Sequence, residues 1–154
     1  MHMDRFSKFT ILVNRIVRNI HRIKSDETSK LGLKGPHVSC LYYLYRAQKP
    51  LTARELCDVC DEDKAAISRA VDYLGKEGYV SCDGSAQKRY KSPISLTPKG
   101  EEAGIFLAER VDCILAEASA GLTDEKRGVF YECLDLISAN LQNICDGTVE
   151  KNGG

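Results

Sequence analysis

The sequence predicts a mainly α fold carrying one small β hairpin, and three observations predict it. Two short apolar-patterned segments joined by an acidic turn occupy Leu51 to Gly78, a basic stretch without helical periodicity follows as far as Thr97, and long helical stripes flank both. At 154 residues and 43% apolar composition the chain has one domain's length and enough hydrophobic material for a core.

The first helix is expected within residues 4–34. There Phe6, Phe9, Val13, Ile16, Ile20 and Ile23 recur at alternating spacings of three and four, the seam of helices that pack at a shallow angle. Gly35-Pro36 starts the next helix with Pro36 at its first position, and Val38, Leu41, Tyr42, Leu44 and Tyr45 form its supporting face.

The segment Leu51 to Gly78 then predicts two helices and a tight turn. Thr52 and Glu55 form a capping box, in which hydroxyl and carboxylate each satisfy the other residue's backbone N–H, and Leu56 and Val59 supply a narrow apolar stripe. After Asp61-Glu62-Asp63, with Asp63 as N-cap, Ile67, Ala70, Val71 and Leu74 repeat at helical spacing until Gly78 ends the helix. The other face of this second helix carries Lys64, Ala65, Ser68, Arg69, Asp72 and Lys76. Small and hydrogen-bonding side chains near a helix start suit the base edges of a major groove.

Tyr79 to Cys82 and Arg89 to Leu96 are extended runs separated by the turn Asp83-Gly84-Ser85, and Pro93 confines the second run to an edge or irregular strand. Lys88, Arg89, Lys91 and Lys99 fall between positions 84 and 99, which hold no acid. A basic hairpin behind such a helix is a wing, placed to meet phosphates or a minor groove. Thr97 as N-cap and Pro98 as first residue restart helix, with apolar positions at Ala103, Phe106, Leu107, Val111, Ile114, Leu115 and Ala118. Gly104 is expected to weaken that helix by about 1 kcal/mol. The last helix starts at Thr123 or Asp124 and carries Phe130, Leu134, Ile137, Leu141 and Ile144, leaving residues 147–154 as an expected disordered tail.

In this order of parts the chain resembles the MarR family of winged helix-turn-helix bacterial transcription regulators. The matching residues are Leu51-Thr52 with Glu55-Leu56, Asp63 to Arg69, Leu74 with Gly78-Tyr79-Val80, and Ile94 to Gly100. The resemblance implies a single protomer over residues 1–146, with dimerisation helices at 4–34 and 101–146 and a winged helix-turn-helix at 35–100. One departure is visible. Where the family commonly has an aspartate and, two residues on, an arginine in the wing, this chain has Lys88 and Tyr90 with Arg89 between them.

The implied function is sequence-specific regulation of transcription through double-stranded DNA, by a homodimer acting as a repressor relieved by a small-molecule or redox signal. Lys64, Ala65, Ser68 and Arg69 are the candidate major-groove residues and Lys88, Arg89 and Lys91 the candidate wing contacts. By pattern alone the two terminal stripes could bury one another within a chain or interlock across a two-fold axis. Paired helices about 34 Å apart, able to read two half-sites, favour the two-fold. The resemblance also implies a small aromatic or phenolic effector held between the dimer and DNA-binding parts. His21, Tyr42 and Tyr45 are candidates for it, with core packing the alternative for the tyrosines.

Charge distribution fits this partner although the net formal charge is zero. Residues 1–34 hold eight Lys/Arg against three Asp/Glu, residues 35–99 ten against eight, and residues 100–154 four against eleven. Such polarity suits one phosphate-facing side; ordinary solvated helix faces are the plainer reading of the acidic end. Seven cysteines, odd in number and scattered, argue against a disulfide framework. Cys57 and Cys60 form a CxxC whose acidic neighbours would raise a thiol pKa, so structural packing is expected, with a redox role at that pair as the alternative. Cys82 is a conceivable third zinc ligand, but no histidine lies close in sequence, and neither metal nor cofactor is expected.

Glycine-rich phosphate loops, nucleophile elbows, HExxH and kinase motifs are missing from the sequence, so an enzyme is not expected. Nor is there an apolar run of about 18 residues or a signal-peptide core, and the expected location is the cytoplasm without membrane attachment. The competing reading is a dimeric winged-helix module that binds protein and not DNA.

Overall fold

The computed structural model describes residues 4–82 and 92–152. The element order is α1 (Arg5–Leu31), α2 (Gly35–Ala47), α3 (Ala53–Cys60), α4 (Lys64–Lys76), β1 (Val80–Cys82), β2 (Ile94–Leu96), α5 (Pro98–Ala118) and α6 (Asp124–Asn152). The chain divides into two compact units, Met1–Val111 and Asp112–Gly154.

In the first unit, α2, α3 and α4 enclose a core whose fully buried members include Leu41, Leu56, Ile67, Leu74 and Ile94. The apolar periodicity of α2 and α4 builds this directly, since Val38, Leu41 and Leu44 on one helix and Ile67, Ala70, Val71 and Leu74 on the other are all buried. Val59 departs from expectation. It is 43% exposed, because the eight-residue α3 buries only Leu56. The strands pair antiparallel, Val80 opposite Leu96 and Cys82 opposite Ile94, and an isolated bridge from Leu51 to Ile94 draws the α2–α3 connection onto the same edge.

Helix ends follow local chemistry with small shifts in register. Lys34, not Gly35, is the N-cap of α2, so Pro36 sits one residue inside the first turn, still where its missing N–H costs no intrahelical bond. The Lys34 N–H donates to Nδ1 of His37 at 3.0 Å. The helix closes on Gln48 in the left-handed region (φ 52°), where its Nε2 donates to the Tyr45 carbonyl at 2.6 Å. Thr97 caps α5 as the sequence predicts, accepting from the Gly100 N–H at 3.1 Å.

Two glycines of α5 are there for space. A Cβ on Gly100 would collide with the Tyr79 carbonyl oxygen. One on Gly104 would lie 2.6 Å from Cβ and 2.9 Å from Cγ of Tyr45, so the residue expected only to weaken the helix is what allows α5 to approach α2.

The second unit contains α6. Thr123 caps it, accepting from the Lys126 N–H at 3.2 Å, and Arg127 pairs with Asp124 at 2.9 Å. Contrary to the expected tail, α6 continues through Gly147 to Asn152. A single helical glycine costs only about 1 kcal/mol and does not by itself stop a helix.

Candidate nucleic-acid interface

The α3–turn–α4 unit is set by three linked caps. Glu55 Oε2 accepts from the Thr52 N–H at 2.7 Å and from its hydroxyl at 2.9 Å, while the Glu55 N–H donates to Thr52 Oγ1 at 3.2 Å. These bonds, backbone first, hold the Glu55 carboxyl below its ordinary range. Asp61 turns the chain with φ 53°, its N–H returning to the Cys57 carbonyl. Asp63 Oδ1 then accepts from the Ala66 N–H at 2.7 Å and starts α4.

At the far end Gly78 (φ 78°) closes α4 in a Schellman motif. Its N–H donates to the Gly75 carbonyl at 3.1 Å and the Tyr79 N–H to the Leu74 carbonyl at 2.8 Å. The base of the hairpin is fastened to this end. Thr97 Oγ1 donates to the Gly78 carbonyl at 2.6 Å, and Lys99 Nζ donates to the Glu77 carbonyl at 2.6 Å while lying 4.2 Å from the centre of the Tyr79 ring. Lys99, counted from sequence among the wing cations, instead joins the wing to α4.

With its inner side fixed in the core, α4 turns Lys64, Ala65, Ser68 and Arg69 outward together, and all four are exposed. Their spacing places them on one side of the first two turns. Arg69 has neither an ion pair nor a hydrogen bond among the described residues. Lys88, Arg89 and Lys91 lie outside the described residues.

The three effector candidates do not come together. His21 lines a cavity of about 580 Å³ with Val17, Ile20, Tyr43, Val59 and Cys60, but neither Tyr42 nor Tyr45 reaches it. Tyr42 packs edge-on against Tyr43 at 5.1 Å beneath the Arg46 guanidinium, and Tyr45 packs on Gly104. The tyrosine of the cavity is Tyr43. A sequence signal for it existed, because Gly35, Ser39 and Tyr43 all line the cavity at helical spacings of four.

At the CxxC, Cys57 is disfavoured as a thiolate. Burial, then the Asp58 carboxylate, pushes Cys57 up. The neighbour that Cys60 engages across the helices is Cys40, a residue the sequence did not single out. Among the described residues no cluster of three or more His, Cys, Asp or Glu is gathered to hold a metal ion, and no helix is long and apolar enough to cross a membrane.

Comparison with known proteins shows what the fold and the helix-turn-helix segment are similar to. The MarR family model matches residues 31–89, the segment that holds the helix-turn-helix. A MarR family transcriptional regulator from Silicibacter pomeroyi superposes with a TM-score of 0.78 at 25% identity, over 90% of this chain and 92% of that one. The fold and the matched segment are those of the MarR family. A MarR family regulator from Neisseria meningitidis matches the same fold at 17% identity and TM-score 0.78, covering 95% of this chain and 99% of its own. So does the S. aureus MepR–DNA complex at 16% and 0.73, covering 90% and 99%. No curated protein matches the chain. Within the MarR fold the small antiparallel β1–β2 pair is the base of the wing, and α3 and α4 are the helix-turn-helix.

Proposed function

We propose that this MarR-type protein is a transcription regulator that binds double-stranded DNA sequence-specifically as a homodimer, and that it represses until a signal releases it. The outward face of α4 carries the proposal: two cations and a hydroxyl, flanking a small alanine, on a helix anchored at both ends. Ser68 and Arg69 are assigned to base edges, Lys64 to an adjacent phosphate, and Ala65 to close approach. The acids Asp61 to Asp63 stabilise the start of α4 and repel phosphate, so the attraction must come from these cations and from Lys88, Arg89 and Lys91 of the wing. The MepR structure of the same fold is a DNA complex, and we carry that partner to this chain.

Exposed apolar helices support the homodimer. Phe9, Ile16, Ile20 and Ile23 on α1, and Phe130, Leu134, Ile137, Leu141 and Ile144 on α6, form two stripes left open to water in the single chain. Apolar faces of this extent mark an interface, and a second copy presents the same stripes in return. For the releasing signal we assign a small aromatic molecule to the cavity lined by His21 and Tyr43, whose volume of about 580 Å³ falls in the range of ligand pockets. It would act by favouring one separation of the paired α4 helices over another.

Fluorescence anisotropy on the duplex upstream of the protein's own coding region, at two salt concentrations and against a random duplex, tests this. Arg69→Ala should cost about 1 to 3 kcal/mol and relax base preference. Arg89→Ala should flatten the salt dependence of log K by nearly one unit. A protein that is monomeric and ignores duplex in dilute buffer would overturn the reading and favour the protein-binding module.

A further inference from the structure

α2 begins with a capping box in which a histidine stands where a carboxylate is usual. In the common form a Glu or Gln three residues past the cap takes the backbone N–H of the cap residue. Here that position is His37, and its Nδ1 accepts the Lys34 N–H at 3.0 Å. A ring nitrogen that accepts is bare, so the imidazole is neutral and carries its proton on Nε2. A glutamate would hold this bond at any pH above its acid range; a histidine holds it only while uncharged.

The same ring reaches a second helix. The cavity lies over the Gly35, Ser39 and Tyr43 side of α2, and His37, about half a turn round from Gly35 and Ser39, faces α4 instead. It lies flat on Tyr73, with ring centres 4.3 Å apart and planes 8° apart. Tyr73 stands on α4 four residues after Arg69, so the two side chains lie along one side of that helix. The stack therefore fixes the roll of α4 from beside the face it turns outward.

We propose that His37 is a positioning residue for DNA recognition: while neutral it closes the start of α2 and holds Tyr73, and through Tyr73 it keeps Arg69 at the angle that tells one base sequence from another. Protonation releases it. The imidazolium cannot accept the Lys34 N–H, and it stands beside the Lys34 ammonium at the positive end of α2. A cation over the Tyr73 face is still attracted to it, but the bond that set the angle of the ring is gone. The positioning role rests on the reading of α4 as the DNA-reading helix; the coupling of His37 to Tyr73 does not.

The groups that face the ring set the direction of the pH effect. They are Lys34 from the α1–α2 connection and Tyr73 from α4, with Arg69, Lys76 and Glu77 within about one turn of Tyr73. Burial and then Lys34 both disfavour the added proton, which moves the change below the usual 6.5. Positioning is therefore complete above 6.5 and is lost as pH falls through the lower value of the folded protein. The imidazolium also adds a positive charge, which strengthens contact with any duplex alike. What falls is the preference between sequences, not the attraction to DNA in general.

Two measurements on the full chain from pH 7.5 to 5 test this. In nitrogen-15 NMR, His37 Nδ1 should be bare at pH 7.5 and the Tyr73 ring signals should move with the His37 titration; Tyr73 signals indifferent to it would overturn the coupling. In fluorescence anisotropy, the ratio of affinities for the upstream and random duplexes should fall about fivefold in wild type, the equilibrium equivalent of one lost helix cap. It should stay level in His37→Gln, which keeps an acceptor that does not titrate. Tyr73→Phe keeps the ring and should fall as wild type does, whereas Tyr73→Ala should start low and stay level. An equal fall in His37→Gln would assign the response to another group, such as His21, and overturn the positioning role. Tyr73 signals that follow His37 in a protein with no preference at any pH would sink the duplex reading and uphold the coupling.

Discussion

Replacing Gly104 by alanine separates helix propensity from packing at the junction between α5 and α2. Propensity alone favours alanine by about 0.8 to 1.0 kcal/mol in a helix interior. At Gly104 the added methyl would stand 2.6, 2.9 and 3.1 Å from Cβ, Cγ and Cδ2 of Tyr45. These atoms lie at the root of the ring, held by the α2 backbone, so they cannot swing aside as the end of a flexible side chain would. Overpacking of this kind costs about 1 to 3 kcal/mol. Gly75 in α4 is the control, since a methyl there meets nothing within 4 Å. Gly75→Ala should therefore stabilise by up to about 1 kcal/mol. Propensity nearly cancels between the two variants, so the gap of about 1 to 3 kcal/mol between them is the packing cost itself. Urea denaturation at one fixed protein concentration measures it. Equal gains in both variants would show that α5 does not approach Tyr45 as the structure has it.

Asp63→Ala removes the acceptor for the Ala66 N–H and should cost about 1 kcal/mol in the same urea assay, most of it recovered in Asp63→Ser. His37, whose Nδ1 accepts the Lys34 N–H and whose ring stacks 4.3 Å from Tyr73 of α4, is held below its usual 6.5 by burial and then by Lys34. A lowered histidine contributes stability that is present above the unfolded value of 6.5 and is lost as pH falls through the folded one. Stability measured from pH 7.5 to 5 should accordingly fall more steeply in wild type than in His37→Gln. Lys99→Met keeps the apolar stem but loses the cation over Tyr79 and the bond to the Glu77 carbonyl; hydrogen exchange at the β1–β2 base should quicken while α3 stays protected.

What could be read in the sequence was what depends on neighbours along the chain. The capping box at Thr52, the caps at Asp63, Thr97 and Thr123, the glycine stop at Gly78 and the buried stripe of α4 are each decided within a few residues, and each stands in the structure. The four exposed positions of α4 follow from that stripe by geometry, since fixing one side of a helix fixes the other. Side chains whose surroundings come from another element were not legible in this way. Tyr42, Tyr43 and Tyr45 are alike in composition, yet the cavity takes the middle one because α1 and the α3 turn close over that side of α2. Lys99 looked like one more wing cation until the end of α4 supplied a carbonyl and a ring to hold it.

The cysteines show the same division most sharply. Cys57 and Cys60 invite pairing on paper because they stand three positions apart, and on a helix such residues are neighbours. Neighbours on one helix still compete with whatever the opposing helix brings, and α2 brings Cys40 into hydrogen-bond contact with Cys60 from a position 20 residues earlier in the chain. The CxxC spacing marks two thiols on one helix, whereas the thiol that meets Cys60 from the opposing helix is Cys40. The partner was set by the packing of α2 on α3, the same packing that buries Leu41 against Leu56 and holds α4 in place.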